Sequence, residues 1–179
     1  PVRFMVHGMF AAAGAVAGML ISINLAGPAS AGWILIVTVA AIVGAGLWGQ
    51  FVEGSPRLLR PYGYFGSVVG VALVCVAAAI SGADGWLLFT AFGVGSAFTQ
   101  AIGRLRCLTN GCCHGREADA SIGIRHTHRR SRVVRLTTLG GIPLHATPVY
   151  SAIWMLVVGV VLLRLWALAV PLQFIAGVE

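Results

Sequence analysis

Polar positions are gathered into a few places along the chain, and between them lie five apolar runs, at about Val6 to Leu25, Trp33 to Phe51, Gly63 to Ile80, Trp86 to Ile102 and Pro148 to Val170. A bilayer hydrocarbon core about 30 Å thick takes roughly 20 residues of helix, so each run has close to spanning length. In lipid only helices and closed barrels satisfy their backbone groups, and runs this uniformly apolar exclude the alternating strands of a barrel. The pattern predicts an all-α fold, a polytopic transmembrane helical bundle of at least five spans, forming a single membrane domain over residues 1–179. Glycines spaced four apart, Gly14 with Gly18 and Gly66 with Gly70, read as sites of close helix packing. Trp33, Trp86 and Trp166 fall near span ends, where interfacial indoles are common.

The polar connections are unequal. Ala26 to Gly32, Val52 to Tyr62 and Ser81 to Gly85 are short, whereas residues 103–147 form one arginine-rich interfacial insert. It holds Arg104, Arg106, Arg116, Arg125, Arg129, Arg130, Arg132 and Arg135 against Glu117 and Asp119, and so carries +6 of the net +7. Composition agrees with a membrane chain, at 58% hydrophobic, 9% charged and mean hydropathy +0.91. That excludes a soluble domain and a disordered chain, and it assigns the basic balance to membrane lipid, with no nucleic acid as partner. All twelve cationic residues are arginine, whose forked guanidinium suits phosphate, so an anionic phospholipid is the expected partner. Arginine counting puts the N-terminus, the Arg57/Arg60 loop and the insert on the cytoplasmic side. Leu172 to Val178 reads as the start of a further span, so a last helix is expected after Glu179.

Candidate chemistry sits where the fourth run meets the insert, in Gly103-Arg104-Leu105-Arg106-Cys107-Leu108-Thr109-Asn110-Gly111-Cys112-Cys113-His114-Gly115-Arg116. Glycines there allow close backbone approach, Arg104 and Arg106 can fork onto phosphate oxygens, and the bilayer edge strengthens each contact. Ordinary juxtamembrane arginines touching lipid phosphates are the plainer reading of the charge alone. Cysteine and histidine invite a metal, but Cys112 directly beside Cys113 breaks the two-residue gap of zinc knuckles, so no metal and no cofactor are expected. A disulfide or redox thiol pair is the alternative in an oxidising compartment. Cys75 reads as a packing residue, His7 as a hydrogen-bonding residue at a span edge, Arg164 as snorkelling to the interface, and His126, His128, Arg129 and Arg130 as a solvated or lipid-facing run.

The stretch from Gly103 to Arg116 resembles the signature of the prolipoprotein diacylglyceryl transferase family, a G-R-x-G-N-F-x-N-G-E-x-x-G-R segment in a seven-helix enzyme. Gly103, Arg104, Asn110, Gly111, Gly115 and Arg116 match. Downstream, Leu144-His145-Ala146-Thr147-Pro148-Val149-Tyr150 resembles the family's H-P-[ST]-Q-L-Y-E segment, and upstream Tyr64-Phe65-Gly66-Ser67-Val68-Val69-Gly70 sits where the family has F-H-G-G-x-x-G. The departures are Phe65 for the third-helix histidine, Cys107 for the first signature asparagine, Cys112 for the signature glutamate, and Ser151 for the glutamate after the tyrosine.

The resemblance implies transfer of diacylglyceryl from phosphatidylglycerol to the lipobox cysteine thiol of a preprolipoprotein, at the bacterial plasma (inner) membrane. On that reading Arg104 takes the phosphate with Arg106 or Arg116 in support, and Asn110, Gly111 and Gly115 position the headgroup. His145 or His114 is the base, because imidazole titrates near neutrality, and Tyr150 orients the headgroup or His145. A non-catalytic lipid-binding or accessory subunit of a larger membrane complex is the alternative, favoured by the lost histidine and glutamate. The resemblance puts the signature at the outer leaflet, opposite to the arginine count, and the outer face is the expectation adopted.

Overall fold

A computed structural model of the chain describes residues 2–52 and 63–169, with side chains from Gly8 onward. The His7 side chain, the Arg57/Arg60 loop and Leu172 to Val178 lie outside the described residues. The protein is an all-α polytopic membrane protein. Its helices are α1 (Val2–Ala26), α2 (Ala31–Leu47), α3 (Tyr64–Ile80), α4 (Gly85–Asn110), a short α5 (Arg132–Leu136) and α6 (Thr147–Ala167). Two-residue strands β1 (Ile124–Arg125) and β2 (Pro143–Leu144) pair antiparallel between α4 and α6. Four helical stretches, Gly8–Ala26, Pro28–Val52, Gly85–Asn110 and Thr147–Ala167, are long and apolar enough to cross a membrane, and α3 is a shorter apolar helix of 17 residues.

Helix boundaries follow local chemistry. Asp84 caps α4, its carboxylate accepting from the Leu87 N–H at 2.9 Å, one of the orphan donors of a helix start. Pro148 sits in the first turn of α6, where a missing N–H costs nothing. Hydroxyls inside the helices turn back on the preceding turn, Ser22 to the Gly18 carbonyl and Thr90 to the Trp86 carbonyl, each at 2.8 Å, which satisfies them without water. The helices are apolar outward as well as inward. Leu35, Ile36, Val39 and Ile42 on α2 and Ile153, Trp154, Val157 and Val160 on α6 are about half exposed, as lipid-facing residues are.

The chain divides into two compact units, residues 1–17 with 96–161 and residues 18–95 with 162–179. In the second, Ile34, Val37 and Ala41 of α2 pack with Val71, Cys75 and Ala78 of α3 and with Leu88. This is close backbone packing. A Cβ on Gly66 would strike the Gly44 carbonyl and the Trp48 side chain, and one on Gly70 would strike the Ala40 carbonyl. Cys75 is buried there, as a small packing residue is. In the first unit, a Cβ on Gly14 would lie 2.8 Å from the Thr99 carbonyl oxygen, the same close approach by which small residues join membrane helices.

Candidate active site

Helix α4 runs on to Asn110, eight residues beyond the sequence-based boundary at Ile102, so the first part of the signature is helical. At 1.5 Å per residue its 26 residues rise about 39 Å, which leaves the last turns beyond a hydrocarbon core of about 30 Å. Arg104 and Arg106 occupy those turns, both partly buried. Two positions apart on a helix, they leave the axis on different faces, so Arg106 does not stand beside Arg104. Cys107 does share the face of Arg104, one turn on, and is buried.

The helix ends in a glycine closure. Gly111 takes φ +63°, its N–H donating to the Leu108 carbonyl at 3.2 Å, while the Cys112 N–H donates to the Cys107 carbonyl at 3.1 Å. This is the paired bonding of a Schellman cap, which sets the residue after the glycine against the one five positions before it. In most proteins an apolar contact fills that place; here Cys112 faces Cys107. The next residue, Cys113, also has positive φ, 56°, a conformation that costs a side-chain-bearing residue about 1–3 kcal/mol. The three sulfur atoms lie within 4.8 Å of one another. Cys107 is buried, Cys112 partly buried and Cys113 exposed. The Asn110 Nδ2 donates to Cys112 Sγ at 3.7 Å, and as a thiol Cys112 donates to the Cys107 carbonyl at 3.8 Å. A hydrogen bond from the Cys107 thiol holds the Cys112 pKa down to about 5, helped by the Asn110 amide and the Arg132 charge and opposed by desolvation.

The second half of the signature meets the segment before α6. The Gly115 N–H donates to the His145 carbonyl and the His145 N–H to the Arg116 carbonyl, both at 3.0 Å, and the Ala118 N–H donates to the Pro143 carbonyl at 2.9 Å. Residues 143–145 are therefore flanked by 115–118 on one side and by β1 on the other, where Ile124 pairs with Leu144 and Arg125 with Pro143. Leu144 is buried beneath this platform. Gly115 is needed there because a Cβ would lie 2.8 Å from the His145 Cβ and 2.7 Å from the Thr147 hydroxyl. His145 Nδ1 and the Tyr150 hydroxyl are 3.2 Å apart, a hydrogen bond that ties the imidazole to the first turn of α6. Of the sequence-predicted residues, the platform thus brings together Gly115, Arg116, His145 and Tyr150, while Asn110 and Gly111 sit at the end of α4. His114 turns its Nδ1 to the Gly115 carbonyl at 3.0 Å, a contact within its own segment.

Sequence reasoning missed a depression of about 290 Å³ lined by Thr109, Arg125, His126, Thr127, His128 and Ser131. Ser131 Oγ is buried there without a hydrogen-bond partner, and Gly111 makes room for it. Its signal was the alternation His126-x-His128 beside Arg125, which reads as a solvated charge run until α5 folds back and the Val133 N–H donates to the Gly111 carbonyl at 3.0 Å.

The chain is 28% identical over 123 residues to phosphatidylglycerol–prolipoprotein diacylglyceryl transferase 2 of Clostridium perfringens (strain 13 / Type A), a match covering 65% of the chain and 45% of that relative. The chain thus spans less than half the length of that curated relative. The family profile described as prolipoprotein diacylglyceryl transferase matches residues 1–176. The chain belongs to the prolipoprotein diacylglyceryl transferase family.

Proposed function

We propose that the protein moves a diacylglyceryl group from phosphatidylglycerol to the lipobox cysteine thiol of a preprolipoprotein at the bacterial plasma membrane. The observation that carries this reading is the backbone ladder joining Gly115 and Arg116 to His145, with Tyr150 bonded to the imidazole. It brings the backbone of Gly115 and Arg116 against His145, whose ring is bonded to Tyr150, from two stretches far apart in the chain. The geometry suits the chemistry. Arg104 neutralises the lipid phosphate as negative charge gathers on the departing oxygen, Arg116 adds a second cation, and the bilayer edge keeps competing water sparse. His145, oriented by Tyr150, accepts the thiol proton. Asn110 and Gly111 end the helix beside Cys112, where the Asn110 amide is the donor that would position a glycerol headgroup.

The test is incubation of the protein with phosphatidylglycerol and a lipobox peptide. Thioether formation that is lost in Arg104→Ala supports the transferase. One observation favours the accessory-subunit reading, that Phe65 stands where the family carries histidine and cannot move a proton. No conversion in wild type or variant alike selects that reading. The outer-leaflet placement predicts that Cys113, which is exposed, reacts with an impermeant thiol reagent in intact cells; reaction only after lysis would put the insert inside.

A further inference from the structure

We propose that Cys107, Cys112 and Cys113 form a three-thiolate site for a zinc-type divalent cation, with the fourth coordination position open to the acceptor cysteine's sulfur. The three sulfurs lie within 4.8 Å of one another. A tetrahedral cation with metal–sulfur bonds of about 2.3 Å holds its sulfurs roughly 3.8 Å apart, so side-chain rotation of about an ångström closes the site. The placement is built into the backbone. The glycine cap at Gly111 carries Cys112 back over Cys107, and the positive φ of Cys113 adds the third sulfur. A side-chain-bearing residue held at that φ carries a local backbone cost.

Two other uses of the thiols fit less well. Adjacent residues have Cα atoms 3.8 Å apart, about half an ångström below the usual disulfide range, so Cys112 and Cys113 do not pair easily. A Cys107–Cys112 disulfide would leave Cys113 strained and unused. The surroundings suit a metal thiolate. Asn110 donates an N–H to Cys112 Sγ at 3.7 Å, as outer-sphere donors do, and Arg132 offsets the single negative charge that three thiolates leave around a divalent ion.

Among the described residues, no histidine, aspartate, glutamate or fourth cysteine joins the group. Three protein ligands with a vacant position mark a catalytic rather than a structural zinc site. The assignment of the fourth position rests on the transferase reading above. That reaction needs a thiolate, in a chain with Phe65 and Cys112 where the family has histidine and glutamate. A thiol bound to such a cation is deprotonated outright. The acceptor R–SH coordinates and gives its proton to His145 or water. Its sulfur lone pair then forms the C–S bond to the terminal glyceryl carbon of phosphatidylglycerol. The C–O bond to phosphorus-bound oxygen breaks and its electron pair leaves on glycerol phosphate. The neutral thioether is a weak ligand and departs. The cation keeps its charge throughout.

The experiment is titration of Co²⁺ into the reduced, chelator-stripped, full-length protein in nanodiscs. The expected result is saturation near one Co²⁺ per chain with thiolate-to-cobalt charge-transfer bands that Zn²⁺ abolishes. Cys107→Ser, Cys112→Ser and Cys113→Ser each weaken binding at least tenfold, and Cys75→Ser does not. Wild type without charge-transfer bands, or bands that survive in the triple serine variant, overturns the site, and the wild-type titration decides this whatever the variants' folding. Adding a lipobox cysteine peptide should raise band intensity by roughly a third, as three sulfurs become four, and a serine peptide should not. Bands indifferent to the cysteine peptide overturn the acceptor role. A peptide response without any transfer product supports the site and sinks the transferase reading, so the two failures are told apart.

Discussion

Between α2 and α3 the chain works almost entirely with small and apolar side chains, and between α4 and α6 it works with few of them. The first region has no acid, base or histidine in either helix, and its close contacts are glycines meeting carbonyls, Gly66 on Gly44 and Gly70 on Ala40. The second holds short strands, a five-residue helix and a row of inter-segment backbone bonds, with buried Val133 and Leu144 as its small apolar anchors. In lipid there is no hydrophobic drive between helices, so van der Waals fit has to hold the first region. At the water boundary backbone groups need partners, and satisfying them organises the second. The same residue type serves both. Gly66 permits two helices to touch, whereas Gly115 permits His145 to sit against the backbone.

If that division holds, substitutions in the two regions should affect different measurements. Arg104→Ala should reduce diacylglyceryl transfer by about 10²–10³-fold, the scale of removing one preorganised charge stabiliser, with the thermal midpoint unchanged; a loss of stability as large as the loss of rate would make Arg104 a structural residue. Gly66→Val should cost about 1–3 kcal/mol or more of stability in detergent, since its Cβ meets a carbonyl and Trp48, while activity per folded molecule persists. Gly46→Ala, with nothing near, should be neutral or slightly stabilising in the same assay.

Tyr150→Phe should lower transfer by about 2–10-fold, the worth of one hydrogen bond of 0.5–1.5 kcal/mol, with the thermal midpoint little changed. An unchanged rate would release Tyr150 from positioning His145. The smallest effect concerns Asp119, whose carboxyl is held below the usual carboxylate range by the Ser121 hydroxyl and N–H, at 2.6 and 2.8 Å. A depressed folded pKa contributes stability that is full above the unfolded pKa of about 4 and lost as pH falls through the lower folded value. Proteolysis of the insert should therefore rise slightly at acid pH in wild type, and Asp119→Asn should abolish that rise.

The sequence made the membrane architecture readable because apolar length is a one-dimensional property. Trp33 to Phe51 and Gly63 to Ile80 lie close to α2 with its following turn and to α3. The end of α4 was less visible, since Arg104 and Arg106 terminate an apolar run without terminating a helix; Asn110-Gly111 was the true stop signal. Cys112 against Cys107 was written in that same glycine, but spacing rules for metal knuckles describe loops rather than a capped helix end. The Gly115–His145 pairing joins residues thirty positions apart, and no local pattern announces it.

Helix α3 has a consequence for the surrounding lipid. Seventeen residues rise about 26 Å, roughly 4 Å less than an average hydrocarbon slab. Its far end breaks at once into the exposed turn Ser81-Gly82, which offers no apolar extension. Neighbouring acyl chains must shorten or tilt to meet it, at a fraction of a kcal/mol per ångström. A span this short should thin the bilayer beside it, so partitioning into vesicles of graded chain length should favour the thinner ones.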